Sequence, residues 1–208
     1  TILDIKQGMQ LDVGYLSPEM VTDPEKMAAE LENPYILITD QVISNPQDLL
    51  PLQEKISKQS KPLLVIAEGV EGAALGMLLL NKAKGALDTI AIRPPAYGEG
   101  RRARMEDLAI LTGGTFITEE LGYQLQQTTL DQLGRAISVR VDRKETVIIG
   151  GAGDPRALAD RKRYLRMLID KADYDFDRED LEERLAKLGG GVALIKGGAA
   201  TEGERKEK

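Results

Sequence analysis

Four short apolar runs, at residues 35–39, 63–67, 89–92 and 115–118, alternate with longer amphipathic segments. Runs of that length suit strands, and the segments between them carry helix-start and helix-stop signals. Asn45 before Pro46 opens a helix reaching about residue 59, and Lys61-Pro62 then leads into the second run. A leucine-rich helix over 71–84 ends at Gly85, Pro94 and Pro95 close the third run, and a helix over 101–112 stops at Gly113-Gly114. The order β-α-β-α-β-α-β favours parallel pairing through right-handed crossovers. The expected class is therefore α/β.

The second half changes style. Residues 137–141 alternate apolar and polar, Arg143-Lys144 turns the chain and residues 146–149 return, which predicts a β-hairpin. Asp154-Pro155 predicts the N-cap and first turn of a long basic helix to residue 171, and Asp177 that of a second helix over 178–188. Gly189-Gly190-Gly191 stops that helix before a strand at 192–196. The first ten residues and the last twenty are expected to lie outside the central core. Thr1 opens without an initiator Met and residues 202–208 form a charged run, so the chain is expected to be a piece of a longer protein.

Composition narrows the chemistry. The 208 residues include no His, no Cys and no Trp, which removes Ser-His-Asp and Cys-His catalysis, Cys/His zinc sites and thiol redox. With 28 basic and 34 acidic residues the net charge is −6, and only 6 Tyr and 2 Phe are present. Nucleic-acid binders need a basic face or stacking aromatics, so none is expected as a partner. No apolar run approaches the roughly 18 residues of a membrane span, so no membrane partner is expected.

Three constellations stand out. Met77-Leu78-Leu79-Leu80 are consecutive in a predicted helix, and at about 100° per residue they sweep nearly its whole circumference. A single core-facing stripe cannot hide all four, so either the helix is buried all round or part of it shows leucine to solvent. In the preceding helix Leu49, Leu52 and Ile56 make an ordinary core face, whereas Leu50 falls off it beside Gln53 and Ser57. The second constellation is Gly150-Gly151-Ala152-Gly153 before Asp154-Pro155, which imitates a dinucleotide-binding turn but has Arg156 where the third glycine belongs. The third is the acidic group Asp173, Asp175, Asp177, Glu179 and Asp180, which reads as helix N-terminal charge, and no calcium-loop spacing accompanies it. The basic residues over 156–166 read as a solvated helix face.

Four separated blocks resemble one family. Residues 8–18 (Gly8-Met9-Gln10-Leu11-Asp12-Val13-Gly14-Tyr15-Leu16-Ser17-Pro18), residues 61–72 from Lys61-Pro62 to Glu71-Gly72, residues 107–115 ending in Thr112-Gly113-Gly114-Thr115, and residues 182–201 are similar to the apical domain of the group I chaperonins, the GroEL family. The resemblance runs over nearly the whole chain in one register. It implies a layered β/α fold like that apical domain, with mainly parallel central strands, a β-hairpin and C-terminal helices. Residues 7–192 would be the polypeptide-binding domain, flanked by intermediate-domain stubs at 1–6 and 193–208.

The resemblance also implies a role. Such a domain captures non-native polypeptides and binds a GroES-type co-chaperonin, as part of ATP-dependent folding by a double heptameric ring. Tyr15, Ser17, Leu50, Leu75, Leu79 and Leu80 match the family's binding positions, and Met20 and Gln53 stand at two more. Gly8, Gly190 and Gly191 correspond to hinges. Glu19 replaces a usual aromatic, Gln53 a usual leucine, and Val13 an arginine that many members use between subunits. The nucleotide-binding domain is absent from this sequence, so no enzymatic activity and no cofactor are expected here. ATP and Mg would serve the full-length protein, and the fragment is expected to be monomeric or to associate weakly. The compartment implied is the bacterial cytoplasm, or alternatively the mitochondrial matrix or plastid stroma. The alternative function is an α/β nucleotide-binding enzyme using the loop from Gly150 to Gly153.

Overall fold

The computed structural model describes residues 3–96 and 98–195. In chain order, β1 (Leu3–Lys6), β2 (Gly8–Leu11), β3 (Ala29–Glu32), β4 (Tyr35–Thr39) and β5 (Val42–Ile43) precede helix α1 (Leu50–Ser57). Strands β6 (Leu63–Ile66) and β7 (Gly69–Val70) lead to α2 (Gly72–Ala83), and β8 (Thr89–Ile92) leads to α3 (Glu99–Thr112). Strands β9 (Phe116–Ile117), β10 (Gly134–Arg135), β11 (Ser138–Val141) and β12 (Thr146–Ile149) follow. Helices α4 (Pro155–Lys171) and α5 (Asp175–Gly189) and strand β13 (Val192–Ile195) complete the order.

The chain is mixed α/β. Its five-stranded sheet runs β10-β4-β6-β8, with β9 sharing an edge of β4 with β10. The pairs β4–β6, β6–β8 and β4–β9 are parallel, as the alternating pattern requires, and only β10 is antiparallel. Both faces of a parallel sheet are covered, so its strands read as unbroken apolar runs; every residue of β4, β6 and β8 is buried. Thr39 is tolerated there because its hydroxyl donates to Ile117 O at 2.7 Å.

A second sheet, order β2-β12-β11-β3, is wholly antiparallel and contains the predicted hairpin. It corrects the expectation that the first ten residues lie outside the core. Strand β2 pairs with β12, and Met9 and Leu11 are buried in the main cluster. Four residues of mixed polarity, Gly8-Met9-Gln10-Leu11, give no strand signal without their partner. β1 and β13 form a separate antiparallel pair; the predicted continuation to Lys196 lies outside the described residues.

The hairpin turn is fastened by Asp142, whose Oδ1 accepts from the Lys144 and Glu145 amides at 2.8 and 2.9 Å. Burial opposes its charge, but those amides and neighbouring Arg140 outweigh it, so the carboxyl titrates below its usual 3.8. A depressed carboxyl contributes stability that is complete above the unfolded pKa and is lost as pH falls through the folded value. Asp142→Asn should therefore melt below wild type at neutral pH, with the gap closing once the pH drops beneath the ordinary carboxyl range. A gap that stays constant across an acid series would contradict this account of the turn.

Helix α4 begins as predicted, with Asp154 accepting from Arg156 N at 3.2 Å and Pro155 in the first turn. Helix α5 starts earlier than predicted: Tyr174 is its N-cap, and Asp175 and Asp177 both fall in its first turn. Their charge favours that end of the helix whichever residue caps it. The basic stretch over 156–166 is also corrected at one position. Arg161 turns inward, donating to Asp107 Oδ1 at 2.8 Å and lying 3.3 Å from Glu106. Together with buried Arg184, it ties the last two helices to α3.

Candidate functional site

Helices α1 and α2 each leave the parallel sheet at its C-terminal end and lie next to one another. The predicted helix over 46–59 is two pieces, a 3₁₀ turn at Pro46–Asp48 and then α1. Asn45 caps the first piece, accepting from Gln47 N at 3.0 Å, and Pro51, which has no N–H to offer, sits in the first turn of the second. Helix α2 has no side-chain cap. Its leading amides are taken by the chain instead: Glu71 N donates to Ile43 O at 3.0 Å and Ala74 N to Ser44 O at 3.2 Å. At its far end Gly85 adopts φ +72°, a left-handed conformation that favours glycine and ends the helix.

Leu78 and Ala74 face the core, with Leu78 only 1% exposed. Leu75, Met77 and Leu79 are half-buried, and Leu80 is 53% exposed. The consecutive apolar residues are thus divided among core, flanks and crown, as the sweep around the helix demands.

The two helices are bridged. Asn81 Nδ2 donates to Gln53 Oε1 at 2.9 Å, which fixes the side of α2 that faces α1. At about 100° per residue, Leu80, Leu75 and Leu79 lie about 100°, 120° and 160° around α2 from Asn81. Helix α2 also packs against the 3₁₀ turn Pro18–Met20. Leu50 is half-buried on α1, and Leu80 is exposed on α2. The four leucines matched to binding positions thus range from half-buried (Leu50, Leu75, Leu79) to exposed (Leu80).

The remaining predicted positions divide by burial. Tyr15 is half-buried, and its hydroxyl donates to Met27 O at 3.2 Å. Ser17 is buried, and its Oγ caps the turn by accepting from Glu19 N at 3.3 Å. Met20 is 0% exposed, with its sulfur 3.3 Å from Ala91 N, so it supports the segment from beneath and offers no free surface. Gln53 corrects the reading that placed it on the outer side of its helix: it is 3% exposed, and its Nε2 has no hydrogen-bond partner. An amide at a position between two helices can be buried because Asn81 meets one end of it. A single-helix wheel cannot register that partner. Glu19 stands exposed beside these residues and Val13 is half-buried.

Of the three glycines expected at hinges, Gly8 is buried in β2, where a Cβ would collide with Ile148 O and a Val192 methyl. Close approach of backbones requires glycine there. Gly190 is the C-cap of α5, and Gly191 has φ +63°.

The loop from Gly150 to Gly153 is packed shut. Gly151 N donates to Gln7 O at 3.0 Å, Ala152 N to Arg135 O at 3.0 Å, and Gly153 N to Leu111 O at 2.9 Å. The loop follows an antiparallel strand, and Cβ atoms at Gly151 and Gly153 would strike the carbonyls ending α3. Those three amides are occupied, and a phosphate cradle needs them free. Among the described residues no cluster of three or more Asp or Glu is arranged to hold a metal ion, the acidic group at α5 included. No helix among them is long and apolar enough to cross a membrane. No protein-family model matches the chain.

Proposed function

We propose that this chain is a polypeptide-capturing domain of the group I chaperonin type. It would bind non-native segments and a GroES-type co-chaperonin loop at the α1–α2 surface. The observation that carries the reading is Leu80, 53% exposed on the crown of a helix whose Leu75, Met77 and Leu79 are also incompletely buried. Leu50 adds a further half-buried apolar side chain on the neighbouring helix. The resemblance of the four sequence blocks supports it independently, and it assigns the hinge role to Gly8, Gly190 and Gly191.

Capture here is physical rather than covalent. Each leucine covered by a client contributes up to about 1.5–3 kcal/mol by area. Ordering the client opposes much of that gain, so a single domain should bind weakly. Several domains in a ring acting on one chain would restore tight binding by raising the effective concentration. An apolar surface of this kind suits clients that share exposed hydrophobic segments rather than a sequence.

The test is titration of a permanently unfolded, fluorescently labelled polypeptide with the 208-residue chain. Saturable binding is expected, with competition by a leucine-bearing peptide and none by a serine-substituted one. Absence of binding at high micromolar concentration would remove the proposal. ATP with magnesium is expected neither to bind nor to raise the melting temperature, since a ligand that binds the native state must stabilise it. A stoichiometric ATP complex would instead favour the nucleotide-enzyme alternative.

A further inference from the structure

Beside Tyr15 the chain forms a cavity of about 310 Å³, bounded by the backbone from Val13 to Leu16 and by Arg93 and Arg143. The walls are fixed. Tyr15 N donates to Asp142 O at 3.1 Å and Leu16 N to Ala91 O at 2.8 Å, which joins this segment to the hairpin turn on one side and to β8 on the other. Both arginines are exposed, and neither has a carboxylate partner among the described residues. The one acid in the lining, Glu68, is already engaged by Arg101. Asp142, next to Arg143 in the chain, is turned to its own loop amides and Arg140. A cavity carrying two uncompensated guanidinium groups, in a chain of net charge −6, is a cationic pocket in an acidic protein.

We propose that this pocket receives the carboxylate of an acidic side chain on a bound peptide segment. Guanidinium groups pair with carboxylates through planar, charge-assisted hydrogen bonds, and two of them can grip one or two such groups. The lining includes Tyr15 and Leu16, which lie in the same stretch as the turn that supports α2. An apolar segment held against α2 with an acidic residue a few positions away would place that residue here. This assignment of the carboxylate's owner rests on the capture reading above. It gives an otherwise unspecific surface a preference: apolar segments flanked by Asp or Glu over those flanked by Lys or Arg.

Two arms test it on the full chain. In the first, a capped Gly-Glu-Gly-Glu-Gly peptide and its Gln counterpart are titrated while backbone amide and arginine Nε resonances are followed by NMR. Shifts at Gly14, Tyr15, Leu16, Arg93 and Arg143 are expected with the Glu peptide alone, and they should vanish in Arg93→Gln/Arg143→Gln. No shifts up to about 10 mM, or shifts centred elsewhere, would overturn the pocket. In the second arm, a leucine-bearing peptide flanked by Glu should bind about fivefold more tightly than its Gln-flanked form. That advantage should disappear in the double variant, with affinity for the Gln-flanked peptide unchanged. Equal affinities for the two leucine peptides would overturn the link between pocket and capture. If neither leucine peptide bound, the capture reading would fail, and the link with it, while the first arm would still judge the pocket.

Discussion

Asp107→Ala is expected to destabilise the folded chain by roughly 3–5 kcal/mol, one of the largest effects available to a single substitution here. Asp107 is buried on α3 and accepts from Arg184 Nε and Nη2 at 2.8 and 3.0 Å and from Arg161 Nε at 2.8 Å. Removing it leaves two guanidinium groups facing each other, one of them buried. Arg184 cannot escape by losing its proton. Burial lowers its pKa, but the Asp107 hydrogen bonds and charge, helped by Asp180 and Glu106, more than reverse that and leave it raised. Breaking one side of a buried pair costs more than replacing both sides by apolar groups. Asp107→Leu combined with Arg184→Met should therefore recover part of the loss, a non-additivity measurable from urea midpoints. A midpoint for Asp107→Ala within about 0.5 kcal/mol of wild type would contradict this role for the network.

Two neighbouring leucines should respond in opposite ways to the same change. Leu78→Ser removes a side chain that is 1% exposed, leaving a cavity and a stranded hydroxyl, and should cost roughly 3–5 kcal/mol. Leu80→Ser acts on a side chain that is 53% exposed and should stay within about 0.5 kcal/mol of wild type. Chemical denaturation of the two variants separates the outcomes. Equal destabilisation would mean that Leu80 is core, and the capture surface would go with it.

The elements set by local chemistry were legible in the sequence. Tyr35–Thr39 and Thr89–Ile92 are strands over the residues their apolar runs mark, and the Asp154-Pro155 helix starts where its cap chemistry places it. What needed a partner was not legible. Strands β2 and β3 have no strong run of their own and exist by pairing with the hairpin. Arg161 lies in a stretch that reads as a solvated helix face, and only the packing of α4 and α5 on α3 brings it and Arg184 to Asp107. At the candidate site, the crowding of Met77 to Leu80 left two outcomes, a helix buried all round or one showing leucine to solvent, and the exposed Leu80 realises the second. Periodicity alone could not say which flank of α2 faces α1, because the deciding contact is Asn81 to Gln53, 28 residues apart. Gln53 was misplaced for the same reason. Its burial is a property of the space between elements, which no single helix records.

The most direct test of capture is the affinity of the folded chain for an unfolded polypeptide, measured in parallel for wild type, Leu80→Ser and an exposed control on another face, Tyr174→Ser. With all three shown to be folded by their denaturation midpoints, wild type and Tyr174→Ser should bind alike, and Leu80→Ser should bind at least about tenfold more weakly, the loss expected when one well-covered leucine is removed. Undiminished binding by folded Leu80→Ser would place any capture elsewhere on the molecule and contradict the assignment of function to the α1–α2 surface.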